Sequence, residues 1–127
     1  MQLFIINNVD FTRFIEVPSY RVNEMEIADE WVDGNRVTHK HTIRTQVKGL
    51  FTLKFTEIDD FNNFFSIIEA NKIKIGDYAG TVIATAYMVN RNDVHTGYYF
   101  IEADPQDTLP ILGQAGWEGF EVTITEA

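Results

Sequence analysis

The sequence predicts a mainly β (α+β) fold, an antiparallel β-sandwich or half-open barrel with one amphipathic helix packed on it. Apolar and polar residues alternate with the period of a strand along most of the chain, whereas the period of a helix occurs in one segment, Ile58–Ala70. A helix and an antiparallel sheet can bury their apolar faces against each other. No internal repeat or linker rich in proline and glycine divides the 127 residues, so we expect one domain spanning residues 1–127.

The N-terminal residues predict a hairpin followed by a strand. Gln2–Ile6 and Val9–Phe14 are both β-prone, and the pair Asn7-Asn8 between them tolerates the positive φ of a tight turn. Tyr20–Ile27 alternates in the same way. These segments are expected to begin the sheet.

The next stretch changes character at a turn. Glu26–Asp33 is acidic and is interpreted as a solvated loop, and the triplet Asp33-Gly34-Asn35 is a strong turn signal. Arg36–Gln46 is rich in charged residues and threonine, which is typical of an exposed arm or an edge strand. Val47–Phe55 alternates large apolar residues with polar ones, so it predicts a half-buried strand.

The helix is predicted from an apolar stripe. Its members fall on one side of a helical projection, opposite polar residues: Ile58, Phe61, Phe64, Phe65 and Ile68. Thr56 or Asp59 is expected to cap its start.

Four further strands are predicted after the helix: Lys72–Ile75, Thr81–Asn90, Gly97–Ala103 and Trp117–Thr125. The second and third are apolar on both faces. Each is therefore expected either in the centre of the packing or with one face at an interface with another subunit.

Composition excludes several classes of function. The chain has no cysteine, so disulfides, thiolate metal sites and cysteine nucleophiles are absent. Its net charge of −9 argues against tight binding to nucleic acid, which depends on lysine and arginine neutralising phosphates. We find neither an export signal nor an apolar stretch long enough to span a membrane.

Candidate metal sites are weak. His39 and His41 lie two residues apart and would share one face of a strand, but further ligands are not evident, so a solvated histidine pair is the favoured interpretation. A dense carboxylate group lacks the spacing of a calcium loop and is interpreted as solvated: Glu24, Glu26, Asp29, Glu30 and Asp33. We assign no metal, no cofactor and no catalytic residue, and we expect a protein that is not an enzyme.

The chain resembles small tail-associated structural proteins of phages and prophages of Gram-positive bacteria and, more distantly, the ring-forming domain of distal tail proteins. Three stretches carry the resemblance: FIINNVDFTRF with the following VPSYRVNEMEI, then LFTLKFTEIDDFNNFFSIIEANK, and finally the closing GWEGFEVTITEA. They cover most of the chain and are packing patterns, not reactive signatures.

The resemblance implies a structural subunit of the tail tube, distal tail or baseplate region. Such a subunit would form a homo-oligomeric ring, with a hexamer as the first expectation, and would contact neighbouring tail proteins in the virion after assembly in the host cytoplasm. The arm Trp31–Gln46 is expected to contribute to the contact between copies. The expected interface residues are Trp31, Arg36, His39, His41, Arg44, Tyr98 and Trp117.

Two alternative functions remain open at this point. A carbohydrate- or receptor-binding β-module would use exposed Trp31 with Tyr98 and Tyr99 along a groove. A hydrolase would need two carboxylates of the acidic segment to converge in one cleft.

Overall fold

A computed structural model describes residues 2–103 and 119–127, whose strands form one antiparallel sheet. The strand order across this seven-stranded sheet is β2-β1-β5-β6-β7-β4-β3. The strands are β1 (Phe4–Ile6), β2 (Val9–Asp10), β3 (Arg21–Val32), β4 (Thr38–Leu53), β5 (Val82–Met88), β6 (Asp93–Ala103) and β7 (Phe120–Glu126). The helix α1 spans Ile58–Asn71, and two short 3-10 helices span Thr12–Phe14 and Val17–Ser19.

The sheet curls into a half-open barrel. The edge strand β3 approaches the end of β5 without pairing with it: the backbone N–H of Val89 donates to the carbonyl of Val22 at 2.8 Å. The Asn90 side chain joins the same edge, because its amide oxygen accepts from the N–H of Glu24 and its amide nitrogen donates to the Glu24 carbonyl, both at 2.8 Å. The predicted fold class is therefore confirmed, with the barrel left unclosed.

The core lies between the inner face of the curled sheet and α1. Phe55 is fully buried at its centre, with ring centroids 5.9 Å from Phe64 on the helix and 6.1 Å from Phe120 on β7. Phe11, in the segment after β2, meets Phe64 edge-on at 5.1 Å. This aromatic cluster fixes the helix against the sheet, because aromatic side chains bury large apolar areas in defined geometries.

The predicted hairpin, the helix and most strands are present with shifted ends. Asn7 and Asn8 have left-handed φ angles of 48° and 65°, as the predicted turn requires. The second strand of that hairpin stops at Asp10, and the following residues form a 3-10 turn. The predicted helix cap is wrong, since Glu57 occupies the N-cap position and makes no side-chain cap hydrogen bond.

The strand predicted over Lys72–Ile75 is not formed. Instead, Ile73 donates to the carbonyl of Thr81 at 2.8 Å and accepts from the N–H of Gly80 at 2.7 Å. These bonds close a loop between α1 and β5. Gly80 in this loop has a left-handed φ of 87°, which residues of a regular strand do not adopt. The pattern of this segment was too short to distinguish a strand from a compact loop.

The acidic stretch Glu26–Asp33 is not a loop. It continues β3 as far as Val32, paired in register with β4 up to the partners Val32 and Thr38. Cross-strand pairing with a basic partner strand offsets the low β-propensity of its carboxylates. The turn predicted at Asp33-Gly34-Asn35 joins the two strands, as expected.

Candidate functional site

A two-stranded arm projects from the body of the sheet. Beyond Glu24 on β3 and before Val47 on β4, these strands pair with each other and with no other strand of the described part of the chain, and a β-bulge lies between Ile27 and Ala28. From here on, the arm means residues 25–46, which are the predicted arm Trp31–Gln46 together with the preceding part of β3. Five of the predicted interface residues lie on it: Trp31, Arg36, His39, His41 and Arg44.

The tip of the arm is held by one carboxylate. Asp33 accepts hydrogen bonds through Oδ1 from the backbone N–H groups of Asn35 and Val37, at 2.9 and 3.0 Å. Its Oδ2 lies 2.8 Å from Nε2 of His39, and this hydrogen bond, more than those from the backbone, lowers the pKa of Asp33. The Trp31 ring stacks on the His39 ring with centroids 5.4 Å apart. The turn therefore has a defined structure although it is exposed to solvent.

The arm carries the paired histidines on one face. Trp31 and His39 are cross-strand partners, and His41 shares their face because side chains alternate along a strand. Among residues 2–103 and 119–127 no group of three histidine or carboxylate side chains is placed to hold a metal ion.

Among residues 2–103 and 119–127, neither edge of the arm pairs with a further strand, although at its base the side chains of Arg44 and Gln46 donate to the carbonyls of Ala127 and Glu126. On β3, the backbone groups of Val22 and Glu24 point away from β4, as their bonds to the β5–β6 turn show. The extra residue of the bulge, Ile43, lies on β4, because Ile27 pairs with Arg44 and Ala28 with Thr42. The direction therefore keeps alternating along β3, and the backbone groups of Glu30 and Val32 also point away from β4. On the opposite edge, Lys40 points away from β3, and no backbone partner is present for it in the part of the chain that the structure describes.

The two edges have opposite charge. No lysine or arginine occurs between Val22 and Asn35, so the β3 edge is acidic. No carboxylate occurs between Arg36 and Thr56, so the β4 edge is basic. Within the arm, Lys40 and Glu26 form an ion pair of 2.7 Å, and this contact raises the pKa of Lys40.

Three carboxylates of the predicted acidic group have separate partners. Glu24 pairs with Arg91 at 3.3 Å, Glu26 with Lys40, and Asp33 with His39. A glycosidase mechanism would need two such groups to face one substrate bond. These three side chains instead each have a different basic or imidazole partner along an extended hairpin.

A second exposed surface lies on the outer face of β5 and β6. Ile83 is 53% exposed and is the cross-strand partner of Tyr98. Tyr98 stacks on Tyr78, with centroids 4.1 Å apart and planes at 11°, and Phe100 lies further along the same face, 41% exposed. The sequence predicts that both faces of these two strands are apolar, and the structure places apolar residues on both. The inner face lines the core, and the outer face exposes Ile83 and Phe100.

The predicted aromatic residues are not gathered in one place. Trp31 is on β3 and Tyr98 on β6, with β7 and β4 between them in the sheet. Tyr99 faces the core, where its hydroxyl donates to the carbonyl of His95 at 3.0 Å and burial raises its pKa. Trp117 lies outside the described residues.

One feature of the outer face has no signal in the sequence. A groove of about 320 Å³ is formed where the β1–β2 turn, the end of α1 and the strands β5 and β6 meet. Its polar side chains come from four separate segments: Asn7, Asn8, Asn71, Thr85 and Thr96. Their proximity depends on strand order, which local patterns do not encode.

These surfaces define an antiparallel β protein that presents an exposed hairpin arm and an open outer sheet face. Comparison with protein-family models, curated proteins and solved structures found no match. Within residues 2–103 and 119–127, no helix has the length and apolar character needed to cross a membrane.

Proposed function

We propose that this chain is a structural subunit of a bacteriophage or prophage tail, in the tube, distal tail or baseplate region, and that it acts by assembling with copies of itself. The observation that carries the proposal is the arm, whose two edges have opposite charge and no strand partner among the residues that the structure describes. An isolated two-stranded hairpin is marginally stable in water, and unpaired edges readily accept another strand. The arm is therefore suited to pairing with a neighbouring chain.

Self-assembly through the arm has a simple geometry. The acidic β3 edge of one copy would add to the basic β4 edge of the next, continuing the antiparallel ladder. Backbone hydrogen bonds would supply affinity, and the opposite charges would favour this order of edges over two like edges meeting. The contact joins two different surfaces, and such a contact gives a ring when the rotation between successive copies closes on itself, and a filament when it does not. We propose the closed arrangement.

The assignment to a tail rests on the family resemblance of the sequence. That resemblance favours a ring of six copies with other tail proteins above and below it, located in the virion. The net charge of −9 is consistent with a ring through which DNA passes, since like charges repel. Genes for a tape-measure protein and other tail components beside the coding sequence would support this assignment, and their absence would count against it.

The self-assembly is tested by blocking one edge. Proline at position 30 removes an outward N–H from the β3 edge but leaves the β3–β4 ladder intact, because that N–H does not point at β4. We expect size-exclusion chromatography with light scattering to show oligomers for the native chain and for Glu30→Ala, and monomer for Glu30→Pro. Monomer for the native chain at high concentration, or unchanged oligomers for Glu30→Pro, would contradict the proposal.

A further inference from the structure

We propose that the groove on the outer face of β5 and β6 binds a neutral carbohydrate. This site is separate from the arm, and the inference does not rest on the proposed function. Three features of the groove carry it: polar groups with unused hydrogen-bonding capacity, a lining without charge among the described residues, and an aromatic platform beside it.

The polar groups of the groove are available to a ligand. No hydrogen bond within the described residues engages the side-chain amides of Asn7 or Asn8. Asn71 uses its amide nitrogen to donate to the Ile67 carbonyl at 2.8 Å, which leaves its amide oxygen as an acceptor. The hydroxyls of Thr85 and Thr96 lie 2.7 Å from each other and retain further capacity to donate or accept.

The lining determines the chemical class of the ligand. Among the described residues, it combines amides and hydroxyls with the aliphatic side chains of Ile5, Ile83 and Ala84 and contains no charged residue. An anion or a cation would have no counter-charge there. A sugar ring matches this mixture, because it presents hydroxyl groups at its rim and C–H groups on its faces.

The aromatic platform lies next to the groove. Ile83 lines the groove and is the cross-strand partner of Tyr98, on which Tyr78 is stacked. Tyr78 is 44% exposed, so part of its ring is open to a ligand on the same face of the sheet. Flat aromatic faces next to amide groups suit the amphipathic surface of a saccharide. The volume of about 320 Å³ is at the small end of ligand sites and suits a mono- or disaccharide unit.

The test is binding of the purified full chain to an array of neutral and acidic glycans, followed by NMR titration of the isotope-labelled protein with the neutral glycan that binds. We expect shifts in the amide signals of Asn7, Asn8 and Asn71. The variants Tyr78→Ala and Thr85→Val should each weaken binding by at least about tenfold, and Thr85→Val also preserves the side-chain shape of a strand residue.

The matched control is Trp31→Ala, which removes an exposed aromatic side chain from the arm and should leave glycan binding unchanged. Three results would overturn the proposal: no neutral glycan bound by the array, binding by Tyr78→Ala and Thr85→Val as tight as that of the native chain, or loss of binding in Trp31→Ala alone. Oligomerisation is measured separately, so failure of glycan binding is distinguishable from failure of self-assembly.

Discussion

Two buried tyrosines, Tyr20 and Tyr99, form hydrogen bonds through their hydroxyl groups, and that of Tyr20 joins distant parts of the chain. The hydroxyl of Tyr20 lies 2.7 Å from the carbonyl of Tyr87 and 3.0 Å from that of Leu3, so it ties the start of β3 to β5 and the N-terminus. Tyr99 bonds within β6. Burial raises the pKa of both side chains, because ionised tyrosine is poorly solvated in the core.

The raised pKa values predict a loss of stability in alkali. Above about pH 10, tyrosines of the unfolded chain lose their protons, whereas Tyr20 and Tyr99 of the folded chain retain theirs. The unfolded state then binds fewer protons, so the free energy of unfolding falls as pH rises. Urea denaturation at pH 8 to 11 should show this fall, and Tyr20→Phe should show a shallower one. An equal dependence of the free energy of unfolding on pH in the native chain and in Tyr20→Phe would contradict the contribution of Tyr20.

A second residue-scale prediction concerns Gly49 in β4. A Cβ atom there would lie 2.0 Å from the carbonyl oxygen of Arg21 and 2.5 Å from the Cα of Val22, both on the paired strand β3. Gly49→Ala should therefore lower the free energy of unfolding by about 3 kcal/mol or more. Gly34→Ala is the control, because its Cβ would meet nothing within 4 Å. Equal denaturation midpoints for the two variants would refute this account of the close approach.

Single residues were predictable where one local rule decides them. The turns at Asn7-Asn8 and Asp33-Gly34-Asn35 follow from residues that tolerate tight backbone conformations. The close approach at Gly49 was not predictable, because it depends on which strand lies beside β4.

At the scale of elements, α1 was predicted within one residue because its apolar stripe has a long, clear period. The stripe packs Phe61, Phe64 and Ile68 into the aromatic core. Phe64→Ala should lower the free energy of unfolding by about 3 to 5 kcal/mol, since it leaves a cavity between the helix and the sheet.

Chemical denaturation checks this value against Ile75→Ala in the following loop, whose side chain is 89% exposed and whose loss should have little effect. A small effect of Phe64→Ala would mean that the helix does not pack as described.

The acidic residues of the arm predict a loop, but the structure places them in strand β3. Carboxylates have low strand propensity in isolation, and the segment Glu26–Asp33 contains four of them within eight residues. Their partner strand carries Lys40 and Arg44, and opposite charges across a ladder stabilise pairing. The sequence of the basic strand predicts its exposure. Its pairing with the acidic segment depends on contacts between two separate elements, which local sequence patterns do not encode.

At the scale of the whole molecule, the curled sheet and its arm differ in packing and in the pairing of their edges. The body buries the aromatic core, and its β3 edge is bonded to Val89 and Asn90, whereas neither edge of the arm has a strand partner among the described residues. The sequence predicted the class of the fold, but not the strand order that places β3 at an edge, nor the groove assembled from four separate segments. Both depend on contacts between residues far apart in the chain.

The pairing of arm edges between copies can be measured directly by cross-linking, because the native chain contains no cysteine. The first mixture contains equal amounts of the Glu30→Cys and Lys40→Cys chains. The control mixture contains equal amounts of the Glu30→Cys and Thr85→Cys chains. A short thiol-reactive cross-linker is added to both. In a ring whose copies are not shifted along the axis, position 30 of one copy lies beside position 40 of the next, because these positions are at the same level of the hairpin. We therefore predict that cross-linked dimers form rapidly in the first mixture and that few form in the control. Equal yields in both mixtures, or none in either, would contradict assembly through the arm.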